Sequence, residues 1–256
     1  GTITLASLSG NGTTTFNANA TITSGGITNG TVSVAGLLTS DISGGTVSTG
    51  SLTSTNVSNG SITVNNNASI TNLTGSTITI GGVATINTMS AGTATFNGNT
   101  AAINHLNGGN ITLGNTALTV SDGNFAGAIS GAQGSLIKAG SGTLTLSGAN
   151  TYYGASVVSA GALNVTNKNG IANSSGLVLL SGSTFTATTD QTVGALFGQA
   201  GSVINLVGGS LTVGKTLAQV NQLNVALTNF SGVSPDQYPA YYLQTTPSVT
   251  TTAVNG

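Results

Sequence analysis

A five-residue unit recurs along the first half of the chain: glycine, then Thr/Ser/Asn, an apolar residue, Thr/Ser and a second apolar residue. It reads Gly30-Thr-Val-Ser-Val34, Gly60-Ser-Ile-Thr-Val64, Gly92-Thr-Ala-Thr-Phe96 and Gly109-Asn-Ile-Thr-Leu113. Gly45-Thr-Val-Ser-Thr49 is a weaker copy, and Ser76-Thr-Ile-Thr-Ile80 carries one extra residue after Gly75. From Gly30 to Gly75 the units come every fifteen residues, and from there every seventeen. Alternation at period two turns the apolar pair of each unit to one face of a strand. A strand this short cannot bury that face alone, so repetition at this spacing predicts stacked coils.

A second signal lies between the units, with apolar residues three apart in Ile70-Thr-Asn-Leu73, Ile86-Asn-Thr-Met89 and Ile103-Asn-His-Leu106. Two strand-like pieces per fifteen to seventeen residues, joined by Gly corners, make one coil. Asn29-Gly30, Asn59-Gly60 and Asn97-Gly98 are expected to supply the positive φ of those corners. No stretch before residue 214 sustains the i, i+3, i+4, i+7 spacing of an amphipathic helix.

Composition supports the same class. Only 3% of the 256 residues are charged, the net charge is −1, and 38% are hydrophobic. A disordered chain has the opposite balance, with few apolar residues and many charges. No apolar run approaches the ~18–20 residues that span a bilayer as a helix. Three Lys/Arg residues cannot build a nucleic-acid surface.

The stretch from Asn124 to Val165 carries a longer signature. Gly142-Thr-Leu-Thr-Leu-Ser-Gly148 is an alternating strand, Ala-Asn-Thr-Tyr-Tyr-Gly154 a turn, and Ala160-Gly-Ala-Leu-Asn-Val165 the end of a second strand. Gly134, Leu136, Lys138, Gly140, Gly142, Leu144, Leu146, Gly148, Asn150, Tyr152, Gly154, Gly161, Leu163 and Val165 stand at fixed places in it. This wording resembles the autotransporter-associated β-strand repeat of bacterial autotransporter passengers. Gln191 to Leu196 and Gly201 to Leu206 extend the likeness. The resemblance implies an all-β, right-handed parallel β-helix, a β-solenoid secreted by a bacterium. It does not fix a function, because such passengers include adhesins, proteases and scaffolds.

Residues 1–214 are read as the β-solenoid rod, about a dozen coils and roughly 60 Å long at ~4.8 Å per coil. Residues 215–256 break the pattern: all three prolines fall there, with Tyr238, Tyr241 and Tyr242. They are read as an irregular cap or assembly segment ending in a β-prone tail that holds Val249 and Val254.

Chemistry is scarce. His105 is the only histidine, and Asp41, Asp122, Asp190 and Asp236 are the only acids. No triad, multi-histidine metal site or convergent carboxylate cleft is expected, hence no catalytic, metal or cofactor site. Asp122-Gly-Asn is read as an isolated turn, since calcium-binding rolls repeat an Asp that the Gly-Gly pairs here lack. Thr31/Ser33, Ser61/Thr63, Thr77/Thr79, Thr93/Thr95 and Thr143/Thr145 are expected to stack on one outward face. Ice-binding solenoids use flat Thr-x-Thr arrays of this type, but Thr is also the polar residue that best suits an exposed strand.

The reading favours an extracellular structural subunit that assembles head to tail into surface or matrix filaments. Ile3, Leu5 and Leu8 of the first coil would meet the tail residues Tyr238, Tyr241, Tyr242, Val249 and Val254 of the next copy. Strand pattern that begins at Gly1, together with the distinct tail, points to a free secreted subunit. The alternative is a passenger adhesin acting as a monomeric rod, freed from its barrel and facing a host or matrix surface. Ice binding and polysaccharide chemistry are weaker alternatives.

Overall fold

The computed structural model describes residues 1–214. They are all-β, without a helix, and wind into about a dozen coils of a parallel β-solenoid. The described residues therefore hold no helix long and apolar enough to cross a membrane, which leaves β-barrels aside. The chain forms two compact units, Gly1–Leu118 and the part from Thr119 onward.

In the first unit the recurring five-residue unit becomes one strand layer. Thr13–Phe16, Thr31–Thr39, Thr46–Val57, Ser61–Val64, Ala68–Ile80, Ala84–Phe96 and Asn110–Leu113 follow one another in parallel pairings. Inward columns run Val32, Val47, Ile62, Ile78, Ala94, Ile111 and, beside it, Phe16, Val34, Thr49, Val64, Ile80, Phe96, Leu113. Nearly all are fully buried, and each large side chain contributes about 1.5–3 kcal/mol. Thr49 is the polar member; its hydroxyl donates to Gly36 O at 3.1 Å and Ser51 O at 2.8 Å, so its burial leaves no group unsatisfied.

The apolar residues three apart have a geometric cause. Ile70 pairs with Ile86 and Ile86 with Ile103, while Leu73 pairs with Met89 and Met89 with Leu106. Between them the pairing skips Thr71 and Asn87. The strand bends at that residue, so positions of opposite parity both face the core. Ile27, Ile42 and Val57 prolong the second column.

Coil length differs from the sequence expectation. Thr31, Thr46, Ser61, Thr77, Thr93 and Asn110 share one column, which makes successive coils 15, 15, 16, 16 and 17 residues long. The corner glycines Gly30, Gly45, Gly60, Gly92 and Gly109 have φ between 81° and 106°. Ser76, not Gly75, stands in that place in the fourth coil, and its buried hydroxyl has no hydrogen-bond partner. Gly98 has no positive φ, contrary to expectation. It is glycine for space, because a Cβ there would overlap the carbonyl of Gly82 in the coil before.

In the second unit the strands shorten to three or four residues. Thr143–Leu146, Ala162–Val165, Thr184–Ala187 and Val203–Leu206 form one layer. Ser135–Lys138, Ser156–Val158, Leu177–Leu179 and Leu196–Gly198 form another. The first three of that layer are buried on both faces, which accounts for the unbroken apolar run at Leu177-Val-Leu. Gln191 to Leu196, where the likeness extends, falls on two strands, Gln191–Val193 and Leu196–Gly198. Asp122 lies within the strand Ala117–Phe125 and not in a turn, with Gly123 at φ 144°.

Candidate functional site

Two features of the first unit face solvent. The first is a double column of polar side chains, Thr13, Thr31, Thr46, Ser61, Thr77, Thr93, Asn110 and, two residues on, Thr15, Ser33, Ser48, Thr63, Thr79, Thr95, Thr112. Four of the five pairs expected to share a face do so. Thr143 and Thr145 do not join this column; they stack on Ala162 and Asn164 in the second unit, where Val203 interrupts it further.

The second feature is a groove of about 550 Å³ lined largely by Ser and Thr, with Asp41 as its one carboxylate. Oδ1 of Asp41 accepts from the backbone N–H of Thr55 at 3.0 Å and of Asn56 at 2.9 Å, and Oδ2 from Nδ2 of Asn56 at 2.9 Å. Asn72 Nδ2 in turn donates to Asn56 Oδ1 at 3.0 Å, so a polarised amide ladder ends on the carboxylate. Burial acts to raise the Asp41 pKa, but the bonds from Asn56, Thr55 and Ser54 outweigh it and hold the pKa below the usual value. The groove has no cation that would recruit an anionic ligand.

Among the described residues no three His, Cys, Asp or Glu side chains gather into a metal site. Asp190 is bound to the backbone N–H and hydroxyl of Ser210 at 2.9 and 2.8 Å. His105 is exposed and stacks beside Thr88. The assembly candidates divide. Ile3, Leu5 and Leu8 all lie on the first strand, Thr2–Leu8, which pairs with Asn19–Ile27; Ile3 is 43% exposed and the other two are half-buried. Tyr238, Tyr241, Tyr242, Val249 and Val254, with the whole proposed segment 215–256, lie outside the described residues.

The most organised polar chemistry is buried in the second unit, at positions that sequence reasoning placed only by likeness. Lys138 is fully buried, and its ammonium donates to three backbone carbonyls, Ala139 at 2.6 Å, Gly140 at 2.9 Å and Ala160 at 3.1 Å. Burial pulls its pKa below the usual lysine value and the Asp122 carboxylate opposes that shift. Asn150 bolts three coils together: it accepts from Ile129 N–H at 2.8 Å and donates to Gly170 O at 2.8 Å. The Tyr152 hydroxyl meets Ser156 Oγ at 2.7 Å, Ser156 donates to Ser174 at 3.0 Å, and Ser174 reaches Gly154 O and Gly176 O. Apart from that likeness, the sequence signal that could have found this network is a lysine between Ile137 and Ala139 in a chain nearly devoid of charge.

A pH dependence follows. Burial raises the Tyr152 pKa well above 10, with the Ser156 bond opposing. Between the unfolded and folded values the unfolded chain releases a proton that the folded chain keeps, so stability falls as pH rises. The slope is about 1.4 kcal/mol per pH unit. Lys138, lowered in the fold, acts in the opposite sense just below the ordinary lysine value. Asp41, also lowered, contributes stability that is lost as pH falls through its folded value. The unfolding midpoint is therefore expected to stay flat from about pH 5 to about pH 9 and to drop above about pH 10. Denaturation of the Tyr152→Phe protein checks this: the alkaline drop should disappear.

Residues 136–165, which carry Lys138, Asn150 and Tyr152, match the family model of the passenger-associated transport repeat. No curated protein and no solved structure matches the chain.

Proposed function

From the premise of a parallel β-solenoid of the autotransporter-passenger type, carrying one passenger-associated transport repeat, we propose that the chain is a bacterial surface-exposed or secreted domain. Its role is structural or adhesive and involves no catalysis. The observation that carries this reading is the coincidence of the matched repeat with the buried Lys138, Asn150 and Tyr152 clasps of a stacked coil. The outward Ser, Thr and Asn columns then form a neutral, hydrogen-bonding face toward a host or matrix surface.

Antibody labelling of intact and permeabilised producing bacteria tests the reading. Labelling of intact cells, with loss of the label after external protease, is the expected result. Labelling that requires permeabilisation would sink it.

The first strand favours a second reading, head-to-tail filaments. Thr2–Leu8 pairs in parallel with Asn19–Ile27 and leaves Ile3 43% exposed. An exposed large apolar side chain on a strand is a surface that a second copy can cover. A heterologous contact of this kind propagates openly and does not close. Replacing Ile3 and Leu5 with lysine should abolish filaments seen by negative-stain electron microscopy, while the circular dichroism of the solenoid is retained. A full chain that stays monomeric at high concentration contradicts this second reading.

A further inference from the structure

The geometry points to a self-modification site: we propose that Asn29 deamidates spontaneously in the folded chain, and faster than the matched Asn59, through attack by its own neighbour Gly30.

Asn29 and Gly30 form an exposed corner between coils, with Gly30 at φ 82°. The backbone N–H of Gly30 donates to Asn29 Oδ1 at 2.9 Å. This contact folds the side-chain amide over the following peptide nitrogen, the arrangement that brings nitrogen and Cγ together for ring closure. A second bond fixes the amide in that pose: Asn29 Nδ2 donates to Asn11 Oδ1 of the preceding coil at 2.6 Å. Glycine leaves the attacking nitrogen without a flanking side chain.

The reaction balances without a cofactor. Hydroxide takes the Gly30 amide proton, the nitrogen forms a bond to Asn29 Cγ, and the Cγ–Nδ2 bond breaks as ammonia leaves. Water then opens the five-membered succinimide at either carbonyl and yields aspartate or isoaspartate. One water is consumed and one ammonia released. The product adds one negative charge to a chain of formal net charge −1. An isoaspartyl linkage also lengthens the backbone ahead of Gly30. The bonds from Thr31 N–H to Gly12 O and from Thr46 N–H to Gly30 O, at 2.9 and 2.8 Å, must then rearrange. Those two bonds stitch this corner to the coils before and after it.

The chain contains its own control. Asn59-Gly60 is also exposed, has φ 106° at its glycine and nearly the same flanks, Ser58 and Ser61 in place of Thr28 and Thr31. It differs in the contact: Gly60 N–H makes no bond to the Asn59 side chain. Local sequence alone would modify the two positions at similar rates, and only the fold separates them.

The test is peptide mapping by mass spectrometry of the full chain, aged in mildly alkaline buffer at physiological temperature, folded in one arm and in denaturant in the other. Aspartate and isoaspartate at position 29 should accumulate several-fold faster than at position 59 in the folded arm. In denaturant the ratio should fall toward one. Equal rates in the folded arm, faster change at Asn59, or the same ratio in both arms would overturn the proposal.

Discussion

Leu144→Asp is expected to prevent the second unit from folding, whereas Thr143→Asp one residue away should leave it folded. Leu144 is fully buried and stacked between Gly123 and Leu163. An aspartate there would be a buried carboxylate with no cation, at a cost of about 4 kcal/mol or more, of the order of the whole stability of a small unit. Thr143 points to solvent, and a charge there costs at most a few tenths to about 1 kcal/mol. Ile78→Asp and Thr77→Asp repeat the contrast in the first unit, where Ile78 is buried and Thr77 exposed. Urea unfolding followed by circular dichroism measures both pairs. Equal losses within a pair would mean that the inward and outward faces are assigned wrongly.

Lys138→Met should cost about 1–3 kcal/mol, a large effect for a substitution that keeps volume and removes a buried charge. Burying an ammonium is itself unfavourable, and a dry apolar substitute is often harmless where a charge pair is removed whole. Here the acceptors stay behind. The carbonyls of Ala139, Gly140 and Ala160 all point at the ammonium, and methionine offers them no donor. Gly140 is exposed and Ala139 and Ala160 are half-buried, so water takes over part of what the ammonium gave, and the lost charge-assisted bonds together cost about 1–3 kcal/mol. Lys168 supplies the comparison: it is exposed, and Lys168→Met should change stability by no more than about 0.5 kcal/mol. Denaturant midpoints of the two variants decide between a structural clasp and an incidental lysine. Similar small shifts in both would remove the clasp.

What was legible in the sequence was whatever the period of the chain encodes. Val32, Val47, Ile62 and Ile78 are spaced by the coil, so their column is visible in the spacing alone. The inward direction of both Ile70 and Leu73 was visible as a spacing of three, but its cause, a bend at Thr71, is a property of the stacked backbone. Ser76 misled the coil count because it takes a glycine's place at a corner, one residue after the Gly75 that the pattern picks out.

Polar chemistry was less legible because its partners are a coil apart. Asp41 finds its donors at Thr55 and Asn56, fourteen and fifteen residues on, and Asn150 reaches residues 129 and 170. Such bonds depend on which residues stacking superposes, and one-residue differences in coil length change that. Lys138, Asn150 and Tyr152 were located only through the resemblance of their neighbourhood to a known repeat. Their burial and bonds come from the structure.

In-register stacking of successive coils underlies every assignment made for the outward face, and cysteine trapping measures it directly. The chain has no cysteine, so introduced pairs report without background. Thr63 and Thr79 are register partners in adjacent coils, whereas Thr63 and Thr77 lie on a diagonal. Partner Cα atoms sit about 4.8 Å apart, within the ~4.4–6.8 Å that a disulfide bridges, and the diagonal is about 8 Å. Under mild oxidation the Thr63→Cys, Thr79→Cys protein should form an intramolecular disulfide while the Thr63→Cys, Thr77→Cys protein stays reduced. Preferential crosslinking of the diagonal pair, or none in the registered pair, would contradict the parallel stacking.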